Sequence, residues 1–342
     1  MTDPIDPLRA QREHGVEAEN QEFRRYEQVN KQQSYRLAEG GDEELFDDDF
    51  ELSTCDMRDF LDGGAAGKDR FAKQLGTALE DIGFAILIGH GIDADHYRDI
   101  DRLTLAFFEE ASEAQREPYL AKRHGSVNQG YFPLKTTSNI HPDLVLGWVF
   151  CRRAFDMDGD SDYDAKEFWP NPEFEPVFRR HCERHQQLFL PIMQSVLRYL
   201  GCDPHLYDRK LTATNFGFRL NYYPPIEVDS SEKGGRMLGH EDVDLFTLLP
   251  APAVDGLQAL HRASNKWVRL SAPPGSIILN VGDYLQRISN DRLPSTTHRV
   301  AQSRQAGSLH AYRHRWPCTC GRMKCSKCYL VLASQSTSRS RR

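Results

Sequence analysis

The feature that most constrains the fold of this chain is a set of two histidines and one aspartate on predicted β-strands. His240 and Asp242 lie two residues apart in His240-Glu241-Asp242, and His298 follows several predicted strands later. Residues i and i+2 of a strand face the same side, so we expect His240 and Asp242 to face one ion and Glu241 to face away. Two imidazoles and one carboxylate are the ligands that hold non-haem Fe(II) and leave part of its coordination sphere open. An isolated His-x-Asp is more often a hydrogen-bonded surface pair, so the assignment of a metal site depends on the surrounding sequence.

Composition excludes several classes of protein. The chain has 342 residues, of which 39% are hydrophobic and 27% charged, and this is typical of a globular protein with one large domain or two smaller ones. A net charge of −7 and a pI near 6.0 argue against nucleic acid as a partner. We expect no membrane span, because no apolar run approaches about 18 residues, and no secretory signal precedes the first helix. The sequence therefore predicts a cytoplasmic protein of undetermined oligomeric state.

Hydrophobic periodicity divides the chain into helices followed by short strands. Apolar residues at helical spacing predict helices over 68–82, 97–110 and 176–200, the last of them kinked at Pro191. Between the first two helices, 84–88 is an apolar run typical of a buried strand. After residue 211, turn residues separate six predicted strands, at 216–222, 245–249, 257–260, 267–270, 277–281 and 298–301. This order favours a helical layer that supports a double-sheet β core.

Several ordered motifs surround the three candidate ligands. They are Arg219-Leu220-Asn221-Tyr222-Tyr223-Pro224-Pro225, the 240–249 segment, Asp255-Gly256-Leu257-Gln258, Lys266-Trp267-Val268, Pro274-Gly275, Asn280-Val281-Gly282-Asp283, and Ser289-Asn290 through His298-Arg299-Val300. Upstream stand Gly83-Phe84 and Gly89-His90-Gly91-Ile92. In these motifs the chain resembles the isopenicillin N synthase-like family of Fe(II)/2-oxoglutarate-dependent dioxygenases, over roughly residues 50 to 300.

The resemblance implies an α+β, mainly β fold: a distorted double-stranded β-helix (jelly roll) core with an N-terminal helical layer. It implies Fe(II) bound by His240, Asp242 and His298, with no catalytic residue beyond these ligands. Asn221 and Tyr223 match positions that help hold the co-substrate 2-oxoglutarate. The implied reaction uses O2, converts 2-oxoglutarate to succinate and CO2, and hydroxylates, desaturates or cyclises a small organic substrate.

Three aromatic residues are our candidates for the wall of the substrate pocket. Tyr131 and Phe132 lie in the loop-rich segment 125–155, and Trp148 lies near its end. The aromatic run does not identify the substrate.

The sequence departs from the family after His298. The family carries an Arg-x-Ser pair on the strand that follows, where the guanidinium binds the distal carboxylate of 2-oxoglutarate through two hydrogen bonds. No such pair follows here, and Arg304 is the first candidate to replace it, with Arg313 and Arg315 as alternatives. A chain without this anchor could be an oxidase that needs no 2-oxoglutarate, or an iron-binding protein with impaired catalysis.

The four predicted regions are a polar N-terminal arm at 1–50, the N-terminal helical region at 51–205, the jelly-roll core at 206–303 and an atypical basic tail at 304–342. The tail has no acidic residue and contains Cys318, Cys320, Cys325 and Cys328. Three interpretations remain open for it: an altered C-terminus, a small zinc site built from the two cysteine pairs, or a basic tail whose Arg304 region completes the site.

Overall fold

The fold was determined as a computed structural model. It describes residues 26–28, 33–35, 44–121, 129–134, 144–157, 159, 164–211, 216–224, 237–251, 256–301 and 322–325. The strands in these ranges are β1 (Tyr26–Gln28), β2 (Gln33–Tyr35), β3 (Thr54–Asp56), β4 (Phe84–Ile88), β5 (Gly130–Phe132), β6 (Leu146–Cys151), β7 (Phe216–Tyr222), β8 (Met237–His240), β9 (Phe246–Pro250), β10 (Leu257–His261), β11 (Lys266–Arg269), β12 (Ile277–Val281), β13 (His298–Val300) and β14 (Arg322–Cys325).

The helices lie mostly before β7. They are α1 (Arg58–Asp62), α2 (Gly64–Ile82), α3 (Ala94–Leu105), α4 (Glu113–Arg116), α5 (Phe174–Gln186), α6 (Phe189–Tyr199), α7 (Asp208–Leu211) and α8 (Asp283–Ile288), with a π-helical turn at Ala106–Glu110 and short 3-10 turns at Glu117–Tyr119, Arg152–Phe155 and Ala165–Phe168. None of the helices in the described ranges has the length and apolar character needed to cross a membrane.

Two sheets form the core. The larger has the strand order β3-β4-β12-β9-β14-β7-β6-β5, and the smaller has the order β11-β10-β13-β8. Every pairing within them is antiparallel except that of β3 with β4. From β7 to β14 the chain passes repeatedly between the two sheets, which is the winding of a double-stranded β-helix. The predicted jelly roll with its helical layer is confirmed.

The large sheet is buried on both faces. One face packs against the helices in the main apolar cluster, which includes Phe178, Phe218 and Leu248. The other face packs against the small sheet through a second cluster that includes Ala259, Val268 and Ile278. Because side chains alternate along a strand, each strand of the large sheet can contribute to both faces. The space between the two sheets is where the candidate ligands lie.

A single glycine fixes the junction between α2 and β4. Gly83 ends α2 with φ of 75°, a left-handed conformation that a residue with a Cβ rarely adopts. A Cβ at this position would lie 2.2 Å from the carbonyl oxygen of Pro294. The close approach brings the start of β4 against the segment that leads to His298.

The predicted helix at 176–200 is two helices rather than one kinked helix. Helix α5 ends at Gln186 and α6 begins at Phe189, so that Pro191 lies in the first turn of α6. Proline has no N–H for the carbonyl four residues earlier, and its ring would clash with that carbonyl. The interruption therefore falls at residues 187–188, ahead of the proline.

Residues 51–205 are less purely helical than predicted. They supply β3, β4, β5 and β6, which occupy both ends of the large sheet. The N-terminal arm also reaches the core, because the backbone of residues 45–47 pairs with Trp267 on β11. The regions that the sequence separates thus share one pair of sheets.

Candidate metal centre

His240, Asp242 and His298 converge between the two sheets. Strands β8 and β13 are antiparallel neighbours and place His240 directly opposite His298, with 4.4 Å between the ring centroids. One nitrogen of each imidazole and one carboxylate oxygen all lie within 4.8 Å of one another. Asp242 Oδ1 is 3.8 Å from His240 Nε2, and Asp242 Oδ2 is 3.9 Å from His298 Nε2. Within the described part of the chain, this is the only cluster of three or more such residues.

Asp242 reaches the cluster by a different route from the predicted one. Strand β8 ends at His240, so Glu241 and Asp242 lie in the turn that follows and not on a strand. The Asp242 carbonyl accepts a hydrogen bond of 2.7 Å from the backbone N–H of Asp283, which fixes this turn. The Glu241 carboxylate accepts a hydrogen bond of 3.1 Å from Thr297 Oγ1.

A buried shell of hydrogen bonds orients the carboxylate. Asp242 Oδ2 accepts hydrogen bonds from Thr247 Oγ1 on β9, at 2.7 Å, and from Asn280 Nδ2 on β12, at 2.9 Å. Thr247 and Asn280 are themselves paired in register and fully or nearly fully buried. Both donors come from the large sheet, so the carboxylate is held between the two sheets.

His298 is oriented just as firmly. Its Nδ1 lies 3.0 Å from the Thr296 carbonyl oxygen, which can only accept, so Nδ1 carries the proton and Nε2 is left for a metal. The Phe84 ring packs edge-on against the imidazole at 5.6 Å. Thr296 Oγ1 in turn donates to the carbonyl of Ile82 at the end of α2. The packing at Gly83 thus bears directly on the orientation of a ligand.

This donor set fits ferrous iron. Two neutral imidazoles and one carboxylate on one side of an ion form the 2-His-1-carboxylate triad. The side chains of Asp242 and His298 are 0% and 6% exposed, whereas that of His240 is 26% exposed. The cluster is therefore closed on the side of the hydrogen-bonded shell and accessible at His240.

Loss of the Asn280 hydrogen bond should weaken metal binding without removing a ligand. We expect Asn280→Ala to lower the affinity for Fe(II) about 10- to 100-fold, because partners that orient ligands commonly have effects of that size. Anaerobic Fe(II) titration measures it, with the exposed Asn171 as the Asn171→Ala control. Equal affinity in the two variants would show that Asn280 does not orient Asp242.

Strand register decides which predicted pocket residues face the cluster. Asn221 pairs with Gly147, and Gly147 pairs with Phe132, so Asn221 and Phe132 share one face of the large sheet. On β7 this is also the face of Gly217, which is linked through the β14 backbone to Thr247. Since Thr247 binds Asp242, Asn221 and Phe132 lie on the face of the metal centre. Tyr223 follows the end of β7, 9% exposed, in a small cluster with Met237.

Tyr131 and Trp148 lie on the opposite face, and this corrects their assignment to the pocket wall. They are paired with each other, and Trp148 is paired with Leu220 in the main apolar cluster. Trp148 is 0% exposed and stacks on Phe107 at 4.1 Å. The sequence showed an aromatic run but not its register, and a shift of one residue exchanges the two faces.

Part of the predicted site lies outside the described residues. The residues outside the described ranges are Arg304, Arg313, Arg315, Cys318, Cys320 and Cys328. For Cys325 the structure describes only the backbone. Residue 325 is the last residue of β14, which lies between β7 and β9. In this strand, residue 322 pairs with Arg219. His90, in the motif that follows β4, contacts the backbone: its Nε2 lies 2.9 Å from the Gly275 carbonyl oxygen, and burial lowers its pKa.

Thr247 and Asn280 were not predicted as site residues, although the sequence carries a signal for them. Each is the polar residue within an otherwise apolar strand, Phe246–Pro250 and Ile277–Val281. A polar side chain buried in such a strand needs a hydrogen-bond partner. Here that partner is the Asp242 carboxylate.

Two family models match separate parts of this chain. The model of the 2OG-Fe(II) oxygenase superfamily matches residues 214–323, and that of the non-haem dioxygenase in morphine synthesis N-terminal region matches residues 52–172. Gibberellin 20 oxidase 2 of Oryza sativa subsp. indica is 30% identical over 276 residues, which cover 76% of this chain and 67% of that protein.

Solved structures share the fold. A 2OG-Fe(II) oxygenase family protein from Caulobacter crescentus superposes with a TM-score of 0.64 at 24% identity, over 80% of this chain and 86% of that one. A Neurospora crassa protein, solved in complex with alpha-KG and thymine, gives a TM-score of 0.67 at 19% identity, over 85% of this chain and 88% of that one.

Fold and donor set together define a non-haem iron oxygenase. With the sequence matches added, the chain belongs to the 2OG-Fe(II) oxygenase superfamily. It is an Fe(II)- and 2-oxoglutarate-dependent dioxygenase that uses O2 as co-substrate.

Proposed function

We propose that this protein oxidises a small organic molecule at an iron held by His240, Asp242 and His298, in the manner of the isopenicillin N synthase-like family. The observation that carries the proposal is the convergence of these three ligand atoms within 4.8 Å, two of them on buried side chains. A small organic substrate is supported by the relatives, one of which is named for gibberellin and another was solved with thymine.

When bound, ferrous iron with 2-oxoglutarate and O2 supplies the oxidising chemistry, and the protein positions the reactants. Two neutral imidazoles and one carboxylate leave a net positive charge on a bound divalent ion. This charge attracts the dianionic co-substrate. The Thr247 and Asn280 hydrogen bonds keep the Asp242 carboxylate aimed at the ion, while the Thr296 carbonyl keeps the proton of His298 on Nδ1.

We propose that Asn221 and Tyr223 help hold 2-oxoglutarate. The Asn221 side chain is 3% exposed, and its carbonyl oxygen accepts a hydrogen bond of 2.7 Å from Arg219 Nε. The amide N–H groups are then directed to another acceptor, as a carboxylate would require. Phe132, on the same face of the sheet, is the remaining candidate for the substrate wall.

For the distal carboxylate we propose an arginine of the C-terminal segment. Residue 322 lies on the strand between β7 and β9, opposite Arg219, which favours Arg322. Arg304, the nearer candidate in the sequence, is the alternative. We expect the alanine variant of the true anchor to raise the KM for 2-oxoglutarate tens- to hundreds-fold, since a charge-assisted hydrogen bond is lost. The variant of the other arginine serves as its control.

The missing Arg-x-Ser pair also favours one rival function, an oxidase on the same scaffold that needs no 2-oxoglutarate. The two functions differ in their products. With a turned-over substrate, a 2-oxoglutarate-dependent enzyme forms one succinate and one CO2 for each O2 consumed. Oxygen uptake that is independent of 2-oxoglutarate would contradict our proposal and favour the oxidase.

A cytoplasmic location completes the proposal. It is supported by Cys55 and Cys182, which form no disulfide and are fully buried. Burial raises the pKa of the Cys55 thiol to about 12, so this cysteine is protonated and unreactive. Buried unreactive thiols of this kind are ordinary in a reducing compartment.

A further inference from the structure

We propose that Glu44, in the N-terminal segment, is a positioning residue for the metal centre that acts through Arg299 on His298. The inference rests on the proposed role of His298 as an iron ligand. Nothing in the sequence motifs points to Glu44, which lies in the predicted polar N-terminal arm at 1–50.

Arg299 directly follows His298 on β13, so its side chain takes the opposite face of the small sheet. That side chain is 1% exposed. Its Nε donates to Gln258 Oε1 at 2.8 Å, and its two terminal nitrogens donate to the two carboxylate oxygens of Glu44 at 2.9 and 2.7 Å. The guanidinium also lies over the Trp267 ring, 3.8 Å from its centroid.

Glu44 is held in place by the segment that carries it. The Leu45 carbonyl accepts a hydrogen bond from the Trp267 N–H, and the Asp47 N–H donates to the Trp267 carbonyl, each at 2.9 Å. Phe46 packs with Leu260 and Trp267. Residues 44–48, which we call the N-terminal strap, therefore extend the edge of β11 and cover the outer face of the small sheet.

The strap buries an ion pair immediately behind a metal ligand. The Glu44 side chain is 4% exposed and that of Arg299 is 1% exposed, so water compensates neither charge. Removal of one partner of a buried pair leaves the other charge uncompensated, which is much less favourable than removal of both. The uncompensated guanidinium would be drawn towards solvent, and because Arg299 directly follows His298 on β13, its displacement would strain that strand.

Any movement of β13 would displace His298 directly. The strand has three residues, and His298 is the first of them. A metal site needs its ligands held to within about 0.5 Å of their productive positions. The strap thus fixes His298 from the outer face of the sheet, while Thr296 and Phe84 fix the imidazole from the inner side.

The test compares two carboxylates of the same strap. Glu44→Gln removes the buried charge with little change in shape. Asp48→Asn removes an exposed one, since Asp48 is 73% exposed and pairs with the half-exposed Arg269 at the surface. Co(II) serves as the probe, because its visible d–d spectrum reports ligand geometry. We expect Glu44→Gln to bind Co(II) about tenfold more weakly, with an altered spectrum, and Asp48→Asn to match the unaltered protein in both.

A double variant separates positioning from general loss of folding. Glu44→Gln combined with Arg299→Gln leaves no uncompensated charge. We therefore expect the double variant to recover most of the Co(II) affinity that Glu44→Gln loses. Circular dichroism checks that each variant is folded. A folded Glu44→Gln variant with unchanged affinity and spectrum would overturn the role of Glu44, as would a folded double variant that binds no better than the single one. Failure of the unaltered protein to bind Co(II) would instead overturn the metal centre itself.

Discussion

Replacement of His298 by alanine is expected to lower the affinity for Fe(II) by more than about 100-fold and to abolish turnover. The estimate is a lower bound, because loss of a group that merely orients a ligand already lowers metal affinity about 10- to 100-fold. His298 is one of only three protein ligands in the proposed site, and its Nε2 is the ring nitrogen left for the metal. Iron content after anaerobic loading and desalting measures the effect directly.

The control for this prediction is a histidine away from the cluster. His205 has a side chain that is 66% exposed and pairs with Asp208 at the surface. We expect His205→Ala to retain one iron per chain, as the unaltered protein does. If His298→Ala also retained it, the ligand assignment would be wrong.

Trp148→Ala is expected to have the largest effect on stability, lowering the free energy of unfolding by about 3–5 kcal/mol. The indole is fully buried and stacks on Phe107, and the rings of Phe150 and Phe178 pack against it edge-on. No smaller side chain fills that volume. Denaturant-induced unfolding measures the loss, and Leu61→Ala, at a 50% exposed leucine, provides the matched control.

A wall residue of the substrate pocket would respond differently. Its truncation would raise the KM for substrate while changing the free energy of unfolding by less than about 0.5 kcal/mol, the range typical of exposed positions. That outcome for Trp148 would contradict the assignment of its ring to the core between the large sheet and the helices.

The sequence predicted the strands of the core well because their apolar runs are short and bounded by turns. The strand at Ile277–Val281 has the predicted limits, and β7 begins and ends where expected. The sequence-based predictions failed where a side chain's direction or a strand's end depends on contact with another part of the chain. Trp148 could not be placed on a face without the pairing of β6 with β7, and β8 ends at His240 because the following turn is held by Asp283.

The candidate site was predictable to the same degree. The three ligands could be named from their chemistry and spacing, supported by the ordered motifs around them. Their supporting residues come from distant parts of the chain. Glu44 precedes Arg299 by most of the sequence, and Thr247 and Asn280 meet Asp242 only when β9 and β12 pair. Local sequence patterns do not predict contacts between residues that are so far apart in the chain.

The central claim is that iron at His240, Asp242 and His298 binds 2-oxoglutarate in a chain without the Arg-x-Ser pair. Anaerobic titration of the Fe(II)-loaded protein with 2-oxoglutarate tests it most directly. We predict a metal-to-ligand charge-transfer absorbance that saturates at one equivalent and is absent from the His298→Ala variant. Iron retained in the unaltered protein with no such absorbance at any concentration of 2-oxoglutarate would contradict the claim.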